Sequence, residues 1–279
     1  MQKKLLAIND ISCVGRCSLT VALPIISSVG VECSILPTAI LSTHTGGFTG
    51  YTFLDFTQEM KKVSNHWLSL NRKYDAIYTG FLGSTEQVDV VKDIVNSFKD
   101  NNIVIVDPAM ADNGKLYGLF DENFPNEMKK LCLVGDVIVP NITEACLMTG
   151  YEYKQNNHSE QYVDGLINAL INEGMKSIVL TGVCKQEGRI GAVCYNCETK
   201  EKSFFDQEII PGYYHGTGDV FASVLSSCIM KEKSLEESTK IAVEVTVASI
   251  KATLKYEGYD VKYGVCFEEV LPLLIEKVE

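Results

Sequence analysis

Five short runs in this chain carry no charged residue and end in a polar or glycine turn. They are Leu5-Leu6-Ala7-Ile8, Ala76-Ile77-Tyr78, Ile103-Val104-Ile105-Val106, Val137-Ile138-Val139 and Ile178-Val179-Leu180. Strands of this kind are covered on both faces, because a half-exposed strand alternates apolar and polar residues. Amphipathic stretches of helical length separate them. Phe56 to Leu70 puts Met60, Val63, Trp67 and Leu70 on one face, and Val88 to Phe98 turns Val91, Ile94, Val95 and Phe98 inward. A helix from about Ser18 to Val29 ends at Gly30, and a further strand, Val31 to Leu36, is closed by Pro37. This rhythm predicts βαβ units: a three-layer α/β/α fold with a mainly parallel central sheet. Ile190 to Tyr195 and Lys202 to Phe205 read as a hairpin. Two helices, about Gly218 to Met230 and about Leu235 to Tyr256, then close the chain. No linker, repeat or low-complexity tract interrupts residues 1–279, so one domain is the simplest organisation.

Charge and cysteine content narrow the partners. With 25 Lys and Arg against 36 Asp and Glu, the net charge of −11 argues against nucleic acid, whose binding rests on basic residues neutralising phosphates. A small phosphorylated ligand remains compatible, because backbone N–H groups and a metal ion can hold it. The apolar stretch before Asn9-Asp10 is only four residues, too short for a secretory signal, and no run approaches a membrane helix. A cytoplasmic chain is expected. Its ten cysteines mostly sit in apolar runs and read as reduced packing residues. Cys194 and Cys197 have metal-knuckle spacing but lack a matching second pair.

In open α/β sheets, ligands bind beyond the carboxyl ends of the strands. Asn9-Asp10, Thr79-Gly80, Asp107, Asn141 and Thr181-Gly182 all follow strands directly and mark such an edge. The most informative segment is His215-Gly216-Thr217-Gly218-Asp219, followed by the helical face Val220, Phe221, Val224, Leu225, Cys228, Ile229. A Gly-x-Gly turn entering a helix presents consecutive N–H groups at the positive end of the dipole, which is an anion hole. A dinucleotide fingerprint fails because Phe221 holds the third glycine position, and no P-loop sequence exists in the chain. Asp219, in the first turn, is either a helix-capping acid or a base that takes a proton from an alcohol attacking a phosphoryl group.

These residues resemble a known family. Gly216-Thr217-Gly218-Asp219 looks like the Gly-x-Gly-Asp signature of the ribokinase superfamily. Four further segments resemble its pyridoxal/pyridoxamine kinase branch and occur in family order: Thr43-His44-Thr45-Gly46-Gly47-Phe48, Thr79-Gly80-Phe81-Leu82-Gly83-Ser84, Asp107-Pro108-Ala109-Met110-Ala111-Asp112 and Val139-Pro140-Asn141-Ile142-Thr143-Glu144. The resemblance implies a ribokinase-like fold and ATP-dependent phosphorylation of the 5′-hydroxymethyl group of a B6 vitamer. It makes Asp219 the base and the N–H groups of Gly216, Thr217 and Gly218 the holders of the γ-phosphate. Asp107 and Glu144 would hold Mg²⁺ directly or through water. Val139, Asn141 and Thr181 would approach the nucleotide, with Ile209 to Tyr214 near the adenine. Asp10, Ser12, His44, Thr45 and Phe81 would form the substrate pocket with Asp219. The family also implies a homodimer and activation by K⁺, to which no residue is assigned.

Two departures matter. Asn9-Asp10-Ile11 stands where pyridoxal kinases usually carry Gln-Ser-His, so Asp10 aligns with a family Ser that touches the substrate ring. A carboxylate there favours a cationic or amino-bearing ring over a neutral aldehyde. Phe81 replaces a family Tyr and loses its hydroxyl. Hydroxymethylpyrimidine kinases of the same fold tend to carry Gly-Thr-Gly-Cys, where this chain has Asp219. That branch is the alternative enzyme. A sugar kinase comes third, and a silent ligand-binding protein is the reading from another class.

Overall fold

The apolar runs pair side by side. In a computed structural model, which describes residues 2–279, the strands are β1 (Lys4–Val14), β2 (Glu32–Thr43), β3 (Phe53–Asp55), β4 (Ala76–Thr79), β5 (Ile103–Val106), β6 (Ala111–Asp112), β7 (Lys115–Leu116), β8 (Val137–Ile138), β9 (Ser177–Val183), β10 (Arg189–Tyr195) and β11 (Lys202–Glu208). All but β6 and β7 form one sheet in the order β11-β10-β9-β8-β5-β4-β1-β2-β3. The six strands from β9 to β2 run parallel, while β3, β10 and β11 add antiparallel edges. The helices are α1 (Leu19–Ser28), α2 (Thr57–Ser69), α3 (Thr85–Phe98), α4 (Phe124–Cys132), α5 (Ile142–Thr149), α6 (Glu160–Asn172), α7 (Thr217–Met230), α8 (Leu235–Thr253) and α9 (Leu271–Val278). The expected α/β architecture is present.

The register explains the uninterrupted apolar runs. In β1, Leu6 and Ile8 enter one core with α2 to α6, and Leu5 and Ala7 enter a second core with α1, α7 and α8. Val104 and Val106 likewise face the first core and Ile105 the second; Ile178 and Leu180 face the first and Val179 the second. Period-2 alternation is intact, but both faces are dry. Each fully buried Leu or Ile contributes about 1.5–3 kcal/mol, which fixes the register, since a one-residue slip would exchange the two cores.

Some expectations differ from the structure. Pro37 does not close a strand: β2 runs through it to Thr43. Pro37 pairs with Asn9 just before a register shift in β1, and β3 joins the outer side of β2 only from Ala39, so the missing N–H is not needed there. Leu70 does not face the core; it caps α2 and is exposed. The chain does not end on α8, because two short 3₁₀ turns and α9 follow it. Helices α4, α5 and α6 were not anticipated. Of these, α5 buries six of its eight residues, so it offers no polar face and hence no period to read.

Candidate active site

Strand β1 is where the connection order reverses: β2 lies on one side of it and β4 on the other. The carboxyl ends of β1, β4, β5, β8 and β9 open there onto a cleft of about 900 Å³. Its floor is locked by Asn9, whose Oδ1 accepts the N–H groups of Asp10 at 2.9 Å and Phe81 at 2.8 Å. Gly80 must stay a glycine beneath this clamp, because a Cβ there would lie 2.3 Å from Asn9 Nδ2.

The helix α7 supplies the phosphate end. Gly216 caps it at φ 75°, and the N–H groups of Gly216, Thr217 and Gly218 have no acceptor among the described residues. They are free to bind an anion. The backbone reaches this pose only because Gly216 lacks a side chain: its Cβ would meet the Arg16 carbonyl oxygen at 2.0 Å. The Thr217 hydroxyl is turned back onto the Tyr214 carbonyl at 3.1 Å, so the residue offers its N–H alone. Asp219 lies in the first turn and lines the cleft. Burial pushes its carboxyl up to about 7; the Asp10 charge adds to the rise, and the Ser18 N–H and Asn9 side chain oppose it.

Beyond β5 and β8 lies a second acidic pair. Glu144 is 3% exposed and its carboxylate accepts the N–H groups of Asn141 (2.9 Å), Met110 (3.1 Å) and Ala111 (3.4 Å). It forms a capping box with Asn141 and pins the start of the β6–β7 hairpin. Asn141, expected near the nucleotide phosphates, spends its amide on the Ala111 carbonyl and its Oδ1 on the Glu144 N–H. It works as a latch at the cleft wall. Asp107, by contrast, makes no side-chain hydrogen bond. Burial, Glu144 and Asp219 all hold its carboxyl well above the usual range.

No Lys or Arg lines the cleft among the described residues, whereas Asp10, Asp107, Asp112, Glu144, Glu208 and Asp219 do. A magnesium ion fits this donor set. Asp107 is an unengaged carboxylate amid like charges, and a hard cation that keeps most of its waters needs few protein ligands. Glu144, with three N–H groups on its oxygens, suits contact through water.

Asp10, His44, Thr45, Phe81, Val139, Thr181 and the stretch Ile209, Ile210, Gly212, Tyr213, Tyr214 all line the cleft where the sequence puts them. Ser12 does not: it is fully buried behind Asp10 and donates its hydroxyl to that carboxylate at 3.0 Å. Strand alternation accounts for this, since residues 10 and 12 share one face and the nearer one fills the opening. Ser18 was not foreseen as a site residue. It sits at φ 58° without capping α1, its hydroxyl approaching Asp10 and its N–H approaching Asp219. Only the strained backbone reveals it. The C-terminal segment was not foreseen either. His44 Nε2 meets the Lys262 carbonyl at 2.6 Å, and the Arg16 N–H donates to the Tyr263 carbonyl at 2.8 Å.

A ribokinase-like sheet with a free anion hole, a raised carboxylate beside it and an acidic cleft without Lys or Arg defines a small-molecule kinase. Residues 23–263 match the family model described as phosphomethylpyrimidine kinase, and the chain belongs to that family. A Bacteroides thetaiotaomicron protein assigned to the phosphomethylpyrimidine kinases is 36% identical over 98% of this chain and 94% of that one, with a TM-score of 0.93. A second crystal form of it, with pyridoxal, has a TM-score of 0.92 and 36% identity over 98% of this chain and 96% of that one. Pyridoxal kinase from Lactobacillus plantarum is 27% identical over 99% of this chain and 97% of its own, with a TM-score of 0.90. Among curated relatives, the pyridoxine/pyridoxal/pyridoxamine kinase of Bordetella avium is 26% identical, covering 86% of this chain and 81% of its own length. The kinship with pyridoxal kinases expected from the motif series is thus present across the whole fold.

Proposed function

We propose that this chain is an ATP-dependent kinase, one domain over residues 1–279, that phosphorylates the 5′-hydroxymethyl group of pyridoxamine, pyridoxal and pyridoxine. The observation that carries it is the order Gly216-Thr217-Gly218-Asp219 at the start of α7: three unpaired N–H groups and then a carboxylate whose proton affinity is raised to about 7. The N–H groups hold the γ-phosphate oxygens as their charge shifts in the transition state. The substrate oxygen bonds to the γ-phosphorus while the bond from phosphorus to the bridging oxygen breaks and ADP leaves. The hydroxyl proton passes to Asp219, whose affinity near neutrality suits a base at physiological pH. Mg²⁺ held by Asp107 and, through water, by Glu144 would neutralise phosphate charge. Thr181 and Val139 border the nucleotide, and His44, Thr45 and Phe81 enclose the flat ring.

Pyridoxal in the Bacteroides relative supports the vitamer. The family description supports the second reading, a hydroxymethylpyrimidine kinase; Asp219 in place of Cys weighs against it. Ten free thiols suit a reducing cytoplasm, and the outer edge at β3, with Phe53 and Leu54 exposed, suits a homodimer contact. ATP consumption is measured with pyridoxamine, pyridoxal, the aminopyrimidine alcohol and ribose. Turnover of the vitamers is the expected result, and turnover of ribose alone would reject the reading.

A further inference from the structure

The Asp10 carboxylate stands at the mouth of β1, 4% exposed, and lines the cleft. No Lys or Arg faces it in the cleft, and His44 alone lends it a favourable charge. The hydroxyls of Ser12 and Ser18 and its own N–H help to hold it, yet burial still raises its proton affinity. His44 is the nearest basic group, but its Nδ1 accepts the Gly46 N–H at 3.1 Å and its Nε2 meets the Lys262 carbonyl, so both ring nitrogens are engaged. With no Lys or Arg in the cleft, a positive group for Asp10 has to arrive with the ligand.

The position of Asp10 relative to the base says where on the ligand that group sits. Ser18 faces both acids, its hydroxyl toward Asp10 and its N–H toward Asp219, so the two carboxylates flank a single residue. The oxygen being phosphorylated lies at Asp219. On an aromatic ring the substituent within reach of a neighbouring carboxylate is the one ortho to the reacting hydroxymethyl arm. We infer that Asp10 is a specificity-determining residue that selects rings bearing an amino donor ortho to the reacting hydroxymethyl group. It would then favour an aminomethyl or aromatic amino group over a carbonyl in that place. A charge-assisted hydrogen bond rewards the amine, while a carbonyl oxygen sets its lone pairs against a carboxylate. Pyridoxamine and 4-amino-5-hydroxymethyl-2-methylpyrimidine share this chemistry; pyridoxal lacks it. The inference rests on the kinase reading above and names the substrate class within it.

The test compares wild type, Asp10→Ser and the isosteric Asp10→Asn for ATP-dependent phosphorylation of pyridoxamine, the aminopyrimidine alcohol, pyridoxine and pyridoxal. The expected result is a pyridoxamine-to-pyridoxal ratio of kcat/KM that falls at least tenfold in Asp10→Ser, mainly through KM. A parallel fall for the aminopyrimidine would extend the selection from an ammonium to any amino donor. Ligand-induced thermal shifts give a second readout: pyridoxamine raises Tm more than pyridoxal does in wild type, and the gap closes in both variants. An unchanged ratio, or an equal loss for every substrate, overturns the inference and leaves the kinase reading standing. No phosphorylation of any of the four by wild type overturns both.

Discussion

Asp219, half-buried, and Glu144, buried, are acids in the first turn of a helix at the carboxyl edge of one sheet, yet their surroundings prepare them for different work. Glu144 accepts three backbone N–H groups and closes a capping box that holds α5 to the β6–β7 hairpin, and burial still pushes its carboxyl up to about 8 against those N–H groups. Asp219 has the free N–H groups of its own turn beside it and only the Ser18 N–H and Asn9 side chain opposing its protonation. One acid fixes a wall and the other is poised to take a proton. Residue type, position in the helix and a raised proton affinity do not separate the two; the free N–H groups beside Asp219 do.

The largest expected effect tests the acid beside the anion hole. Asp219→Ala should lower kcat by about 10³-fold, the scale of a lost general base, while nucleotide affinity measured by calorimetry stays near wild type. Full activity in that variant would remove the assignment. The glycine beside it comes next. Gly216→Ala places a Cβ 2.0 Å from the Arg16 carbonyl and should lose both melting temperature and activity, whereas Gly218→Ala enters open space and should keep its Tm. Equal melting curves for the two variants would contradict the tight backing of the loop.

For the fixed acid, Glu144→Ala should cost about 3 kcal/mol in urea unfolding, because it leaves three N–H groups without their acceptor. An unaltered unfolding midpoint with lost activity would make Glu144 a ligand rather than a latch. A further effect concerns pH. The raised Asp219 pKa means its protonated form stabilises the fold; that contribution is complete below about 4 and is lost as pH rises through about 7. Asp219→Asn should therefore match wild type in Tm near pH 4 and exceed it by several degrees at pH 8. In wild type, kcat/KM should rise with pH toward a limb near 7 as the base ionises.

Much of this was legible in the chain. The unbroken apolar runs announced a sheet covered on both faces, and the turns after them marked the cleft edge. Local patterns failed where burial is isotropic, as in α5. They also failed where one residue stands in front of another, as Asp10 does before Ser12. The bridging role of Ser18 escaped notice because it depends on a positive φ and on two acids that lie far apart in sequence. Asn141 and Glu144 were found by motif, but their mutual hydrogen bonds set one as a latch for the other, which no spacing reveals.

The carbonyl of Arg16 backs the anion hole, and residue 16 is itself anchored by the last part of the chain. Its N–H bonds to the Tyr263 carbonyl at 2.8 Å, and its guanidinium reaches the Tyr259 hydroxyl at 2.5 Å and Glu268 at 2.7 Å. During synthesis, then, the sheet and α7 leave the ribosome before the residues that steady the phosphate loop. A nascent chain stopped after α7 would own every residue assigned to the chemistry and still lack the brace behind it.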